Sequence, residues 1–219
     1  MNANYTLSHC IGPYATLYGS LSLWPYETYT NPNNRDFDRG NCDSDRRHIF
    51  NVTGLASTPK FSNRTLRIVA TGWRFAGIYK YSSGDPLNIL AGTDRALNGI
   101  MNQRANQISS DALGDARPFA AYLNPKAFTI PDLGTIGNIG HNSISGPGIW
   151  GLDMAASRVF NLREMQRLEL RVEAYNLTNS FKPGDPNVTV SSNTFGVIRT
   201  PATSGGDPRI LQFALKYVF

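Results

Sequence analysis

The chain has 219 residues, 41% apolar and 11% aromatic, too apolar for a disordered chain, and its charged fraction of 17% lies below the ~25% usual for soluble domains. Its 20 glycines and 13 prolines carry no period, which excludes collagen, and no apolar run reaches the ~18 residues a membrane-spanning helix needs. A mean hydropathy of −0.30 still admits a membrane β-barrel, and the net charge of +5 is dispersed, with no basic block beyond Arg46-Arg47, which argues against nucleic acid as a partner.

Alternation with period 2 dominates, and helical periodicity is weak throughout. The first predicted strand, Asn2 to His9, sets Ala3, Tyr5 and Leu7 against Asn4, Thr6 and Ser8. A long polar connection, Cys10 to Arg47, follows. A disulfide between Cys10 and Cys42 would restrict it by about 3–4 kcal/mol on the chain-entropy model; two unrelated thiols are the alternative. Asp36, Asp38, Asp43 and Asp45 crowd this connection. Asp36-Phe37-Asp38-Arg39-Gly40 resembles the start of a calcium loop without the remaining ligands or the closing Glu, so a solvated loop whose acids pair with Arg35, Arg39, Arg46 and Arg47 is the competing reading.

The second strand is predicted over His48 to Ser57, and a short connection, Thr58 to Asn63, leads to a long third strand, Leu66 to Tyr81. Val69, Trp73, Phe75, Tyr79 and Tyr81 share one face of it, and Arg74 and Lys80 the other. A long connection from Ser82 to Gly148 precedes the fourth strand, Ile149 to Phe160. Arg158 interrupts the pattern there, either by snorkelling or at a bulge. After Asn161 to Met165, the fifth strand sets Leu168, Leu170, Val172 and Ala174 against Arg167, Glu169, Arg171 and Glu173. The third long connection, Asn179 to Asp207, leads to the sixth strand, Ile210 to Phe219, with Leu211, Phe213, Leu215, Tyr217 and Phe219 opposite Gln212, Ala214 and Lys216.

Connections therefore alternate long, short, long, short, long. Structureless connections of this length are uncommon in compact soluble domains, whereas outer-membrane barrels pair short periplasmic turns with long extracellular loops. Counting back from a last strand that ends in the periplasm puts both short turns there, and the loops 10–47, 82–148 and 179–207 outside. The fold class is thus all-β: part of an antiparallel transmembrane β-barrel in the Gram-negative outer membrane. Six strands do not close such a barrel, whose smallest members have about 8, and lipid does not tolerate an open edge. With no signal peptide at Met1, the expectation is the C-terminal portion, residues 1–219, of a longer barrel protein; an oligomeric barrel of six-stranded units is the less favoured route to closure.

On this reading Arg74, Lys80, Arg167, Glu169, Arg171, Glu173 and Lys216 face a watery lumen. Trp73, Tyr79, Tyr81, Trp150, Tyr217 and Phe219 form aromatic girdles at the two membrane interfaces. The carboxylates of Glu169 and Glu173 fit a ladder of ion pairs better than glycosidase chemistry, and no nucleophile elbow, phosphate loop or zinc motif is present, so no enzyme is expected. His9, His48 and His141 lack ligand spacing, and no metal or other cofactor is expected.

Several segments resemble TonB-dependent outer-membrane receptors, in particular the subgroup with an N-terminal carboxypeptidase-regulatory-like domain. They are Asp38-Arg39-Gly40, Asp45-Arg46-Arg47-His48-Ile49-Phe50, Gly72-Trp73-Arg74-Phe75-Ala76-Gly77-Ile78 and Ser82-Ser83-Gly84-Asp85-Pro86-Leu87. Tyr122-Leu123-Asn124-Pro125-Lys126-Ala127-Phe128, the glycine-rich run Gly134 to Gly148, and Arg171 to Phe181 complete the set. Terminal Phe219 resembles the signal read by the barrel-assembly machinery. The resemblance implies a 22-stranded barrel with an N-terminal plug, and import of a bulky extracellular ligand powered by TonB through that plug. The expected partners are outer-membrane lipid, the assembly machinery, TonB and an unidentified ligand. The alternative is a secreted or surface β-sandwich for carbohydrate binding or adhesion, and a third is a passive porin-like channel. Only a sandwich would bury the apolar face against a second sheet.

Overall fold

The structure, a computed structural model, describes residues 1–12, 29–31, 33–101, 103–114, 121–163, 166–202 and 206–219. Six strands form one antiparallel sheet in which each strand pairs with its neighbours in chain order. They are β1 (Asn2–Leu7), β2 (His48–Ser57), β3 (Trp73–Ser82), β4 (Ile149–Arg163), β5 (Gln166–Tyr175) and β6 (Ile210–Val218). The sheet is open, with β1 and β6 as its edges. Ten residues, as in β2, β3 and β5, is the length a strand tilted by about 45° needs to cross a bilayer.

The register sorts the side chains by chemistry. Phe50, Tyr81 and Trp150 lie side by side across three strands, as do Val52, Tyr79 and Leu152. Ala156, Val172 and Phe213 continue that face to the far edge. The opposite face carries Asn4, Asn51 and Lys80 in one row, and Ser57, Arg74, Ser157 and Arg171 in another. A one-residue slip anywhere would exchange the faces of that strand, so the shared alternation specifies the register.

Two connections differ from expectation. The third strand begins at Trp73 rather than Leu66, because Arg64–Val69 forms a short helix, α1. Asn63 Oδ1 caps it by accepting from the Thr65 and Leu66 amides at 2.9 and 3.3 Å, and Gly72 at φ +80° turns the chain into β3. The apolar residues Leu66, Ile68 and Val69 do not keep period 2, which is where the long-strand reading failed. The fourth strand runs on to Arg163, so only residues 164–165, outside the described residues, join it to β5. Its irregularity falls between Asn161 and Arg163, not at Arg158. Arg158 holds register opposite Trp73 and Leu170, donates to the Val69 carbonyl at 2.8 Å, and lies 4.6 Å from the Phe160 ring centre. A cation at a helix C-terminus meets the negative end of the backbone dipoles.

The hydrophobic core lies outside the sheet. Leu87, Ile89, Ala105, Leu123, Ala127, Phe128, Ile139 and Phe195 are buried together, all from the second and third long connections; Ala174 is the only buried apolar side chain in the sheet among the described residues. The sheet faces are exposed, with Phe213 at 70% and Leu215 at 68% of full accessibility. A sandwich would have covered both.

Candidate functional site at the loop end of the polar face

The three long connections gather at one end of the sheet into a single assembly. Leu90 pairs with both Arg104 and Thr189, which ties the second connection to the third. Phe128 meets Phe195 edge-on at 5.6 Å, and Tyr122 N donates to Gly196 O at 2.9 Å. The first connection joins through Arg104. Its guanidinium is buried, pairs with Asp38, donates to the carbonyls of Ile139 (2.8 Å) and Phe37 (2.7 Å), and stacks 4.3 Å from the Phe37 ring centre. Asp38 also accepts from the Thr30 amide at 2.6 Å. A buried ion pair stands only with such added hydrogen bonds, which offset the desolvation of both charges.

The motifs that carried the resemblance are contact points in this assembly. Asn41 and Asn142 exchange side-chain to carbonyl hydrogen bonds, both 2.8 Å, and Asn142 Nδ2 also donates to Asp43 at 2.6 Å. A Cβ on Gly40 would stand 2.2 Å from the His141 carbonyl oxygen, so only glycine fits that approach. Burial and nearby Arg104 hold the His141 imidazole below its usual pKa, against the opposite pull of Asp43 and Asp38. Cys10 and Cys42 are disulfide-bonded, and Cys42 N donates to Cys10 O at 3.1 Å.

The acidic cluster of the first connection is therefore dispersed. Asp38 belongs to Arg104 and Asp43 to Asn142. Asp45 accepts from Cys10 N at 3.0 Å and lies 3.1 Å from His9 Nδ1. Desolvation would raise the Asp45 pKa, but His9, the Cys10 amide and Arg47 outweigh it and hold the carboxyl below its usual value. Arg46 turns away to pair with Asp85 at 2.6 Å. The three histidines lie apart, His48 being stacked on Tyr5, and no group of three metal-ligating side chains exists among the described residues.

On the sheet, Arg74, Lys80, Arg167, Glu169, Arg171, Glu173 and Lys216 share the polar face. Glu169 stands opposite Lys216, and Arg171 reaches Glu173 at 2.5 Å. Trp73, Tyr79, Tyr81, Trp150 and Tyr217 share the apolar face. Tyr79, Tyr81 and Trp150 sit at the loop end, Trp73 and Tyr217 at the other, and Phe219 stacks on Tyr217 at 5.9 Å.

Where the polar face meets the loops lies a cavity of about 350 Å³, lined by Asn51, Lys80, Asp153 and Lys182 among others. Asn176 builds this corner. Buried at φ +49°, it donates its amide to Asp153 Oδ1 (2.8 Å), its side-chain nitrogen to the carbonyls of Ser180 and Asp207 (3.0 and 3.1 Å), and accepts from Ser180 N (3.0 Å). Leu177 N adds a bond to Leu152 O at 2.8 Å. The turn after β5 is thereby pinned across β4, and it delivers Lys182 over Gly151. An adjoining cavity of about 410 Å³ holds Arg46, Asp85 and Asp185. Loss of solvent, with Asp85 nearby, raises the Asp185 pKa against the pull of Arg46. Behind it Tyr122 donates to Ser145 O at 3.0 Å, and its pKa is pushed up to about 12 by burial and by Asp185.

Sequence reasoning missed Arg104, Asn176 and Lys182. Asn176 sat inside a quoted motif, and its carrying signal was an Asn just past a strand, a residue type that tolerates the left-handed conformation. Arg104 and Lys182 are single cations in polar connections and carried no local signal.

An apolar sheet face, a charged opposite face and loops massed at one end describe a wall between lipid and water. Residues 1–212 match the family model described as outer membrane beta barrel domain. The chain belongs to this family. No curated protein and no solved structure matches it. Membership in the outer membrane beta barrel domain family places the chain in the Gram-negative outer membrane. It also gives the exposed apolar face a solvent: in lipid, burial of Phe213 and Leu215 needs no second sheet.

Proposed function

We propose that this chain forms part of a TonB-dependent outer-membrane receptor that captures a bulky ligand with its loops and passes it along a polar lumen. One observation carries the reading: the long connections form one packed assembly with its own core, braced by Arg104 and Asp38, at the end of the charged face. A preformed surface of this kind avoids the ordering entropy that mobile loops would lose on binding a ligand. The open edges at β1 and β6 support a larger barrel, since unpaired strand edges are not tolerated in lipid. Lumen-facing roles for Arg74, Lys80, Arg167, Glu169, Arg171, Glu173 and Lys216, and girdle roles for the aromatics, belong to this proposal. So do the assembly-signal role of Phe219, the barrel-assembly machinery and TonB as partners, and the absence of a catalytic step.

The test is an immunoblot of fractionated source cells with an antibody to residues 121–148, combined with cross-linking to TonB. A band far above 24.1 kDa in the outer membrane that cross-links to TonB is the expected result. A band at 24.1 kDa in a soluble or secreted fraction overturns it, as does an outer-membrane protein with no TonB cross-link.

A further inference from the structure

We propose that Lys80 and Lys182 form an anion-binding subsite at the loop end of the lumen wall, which takes a carboxylate or phosphate group of a small solute. The inference rests on the lumen reading of the polar face and adds the chemical class of the ligand. Lys80 projects from β3 beside Asn51 and Gly151 in the sheet register. Lys182 arrives from the third long connection, whose path is set by Asn176 and by the Ala202 N to Lys182 O bond of 2.9 Å. Both lysines line the cavity of about 350 Å³, a volume suited to a small ligand or to one functional group of a larger one.

Three features point to an anion. Neither lysine ammonium has a hydrogen bond or an ion pair among the described residues, although carboxylates stand elsewhere on the same face. Asp153, the one carboxylate lining the cavity among the described residues, is held by the Asn176 amide, which donates to Oδ1. Gly151 forms the floor: a Cβ there would stand 3.0 Å from Lys182 Nζ and 3.2 Å from Cε, so the ammonium lies directly over the sheet backbone. Two ammonium groups lining one cavity both attract an anion that enters it.

The experiment uses the protein purified intact from the outer membrane in detergent, titrated calorimetrically with inorganic phosphate and separately with citrate at low ionic strength. Saturable millimolar or tighter binding of at least one is expected. Lys80→Gln and Lys182→Gln should each weaken it roughly tenfold or more, the size of a lost charge-assisted hydrogen bond. Lys126→Gln, outside the cavity, should leave it unchanged. Heat-modifiable mobility on gels checks that each variant is folded. Preference for phosphate or for citrate identifies the favoured group. No binding of either, or equal binding by wild type and the folded lysine variants, overturns the subsite. The titration needs no TonB, so a protein that binds anions without TonB coupling refutes the receptor reading and leaves the subsite standing. A TonB-coupled receptor that binds neither anion does the reverse.

Discussion

Arg104 is a cation with its side chain almost wholly buried, and it joins the first long connection to the second. Arg104→Ala would leave the Asp38 carboxylate buried without its partner, which costs about 3–5 kcal/mol. The expected outcome is faster hydrogen exchange of the Ile89, Ala105 and Ile139 amides in the intact protein, with the sheet amides unchanged. Replacing both charges with apolar residues, Arg104→Met with Asp38→Leu, should cost less than Arg104→Ala alone, because no lone charge remains. Asp45 gives a pH dependence. Its folded pKa is depressed, so its stabilising contribution is fully present above the unfolded value near 3.8 and is lost as pH falls through the lower folded value. Amide exchange at Cys10 should therefore rise on acidification below about pH 4, and Asp45→Asn should remove that rise.

At the scale of elements, the strands were legible because each repeats one instruction, apolar then polar, over the length of a membrane crossing. Leu168 to Ala174 against Arg167 to Glu173 states it most sharply. A charge placed on the apolar face must enter lipid, and one on the other face need not. Phe213→Arg should therefore destabilise the barrel by about 2–4 kcal/mol if the residue sits near the midplane, while neighbouring Gln212→Arg should be nearly neutral. Urea-induced loss of heat-modifiable mobility measures both. The connections were less legible. The helix Arg64–Val69 depends on a cap at Asn63 and a reversal at Gly72, signals two residues wide that the surrounding alternation obscured. The Cys10–Cys42 disulfide restrains the first connection. Its reduction should loosen residues 29–47 by about 3–4 kcal/mol on the chain-entropy model, seen as proteolysis within that segment while the sheet stays protected.

At the scale of the whole molecule, the sheet is a wall with open edges at β1 and β6, and on the proposed receptor reading further strands cover them in lipid. On that reading the 24.1 kDa chain, inserted into outer-membrane lipid by itself, should not give a heat-modifiable monomer; it should appear in larger assemblies or as aggregate. A folded monomeric band would show that the edges β1 and β6 can close without help.

The sequence by itself determined the sheet: six alternating segments, their faces and the placement of long connections at one end. That information is local, because period 2 needs only neighbours along the chain, and a one-residue slip would carry every side chain of a strand to the wrong solvent. Tertiary structure alone decided that the long connections pack around Leu123, Phe128 and Phe195, that Arg104 reaches Asp38 across 66 positions, and that Lys182 comes to rest over Gly151 beside Lys80. Those partners lie far apart in a chain rich in Asn, Gly and Ser, where no period records which residue meets which. Their pairing follows from the burial of apolar surface and the satisfaction of buried charge, and both are properties of the folded molecule as a whole.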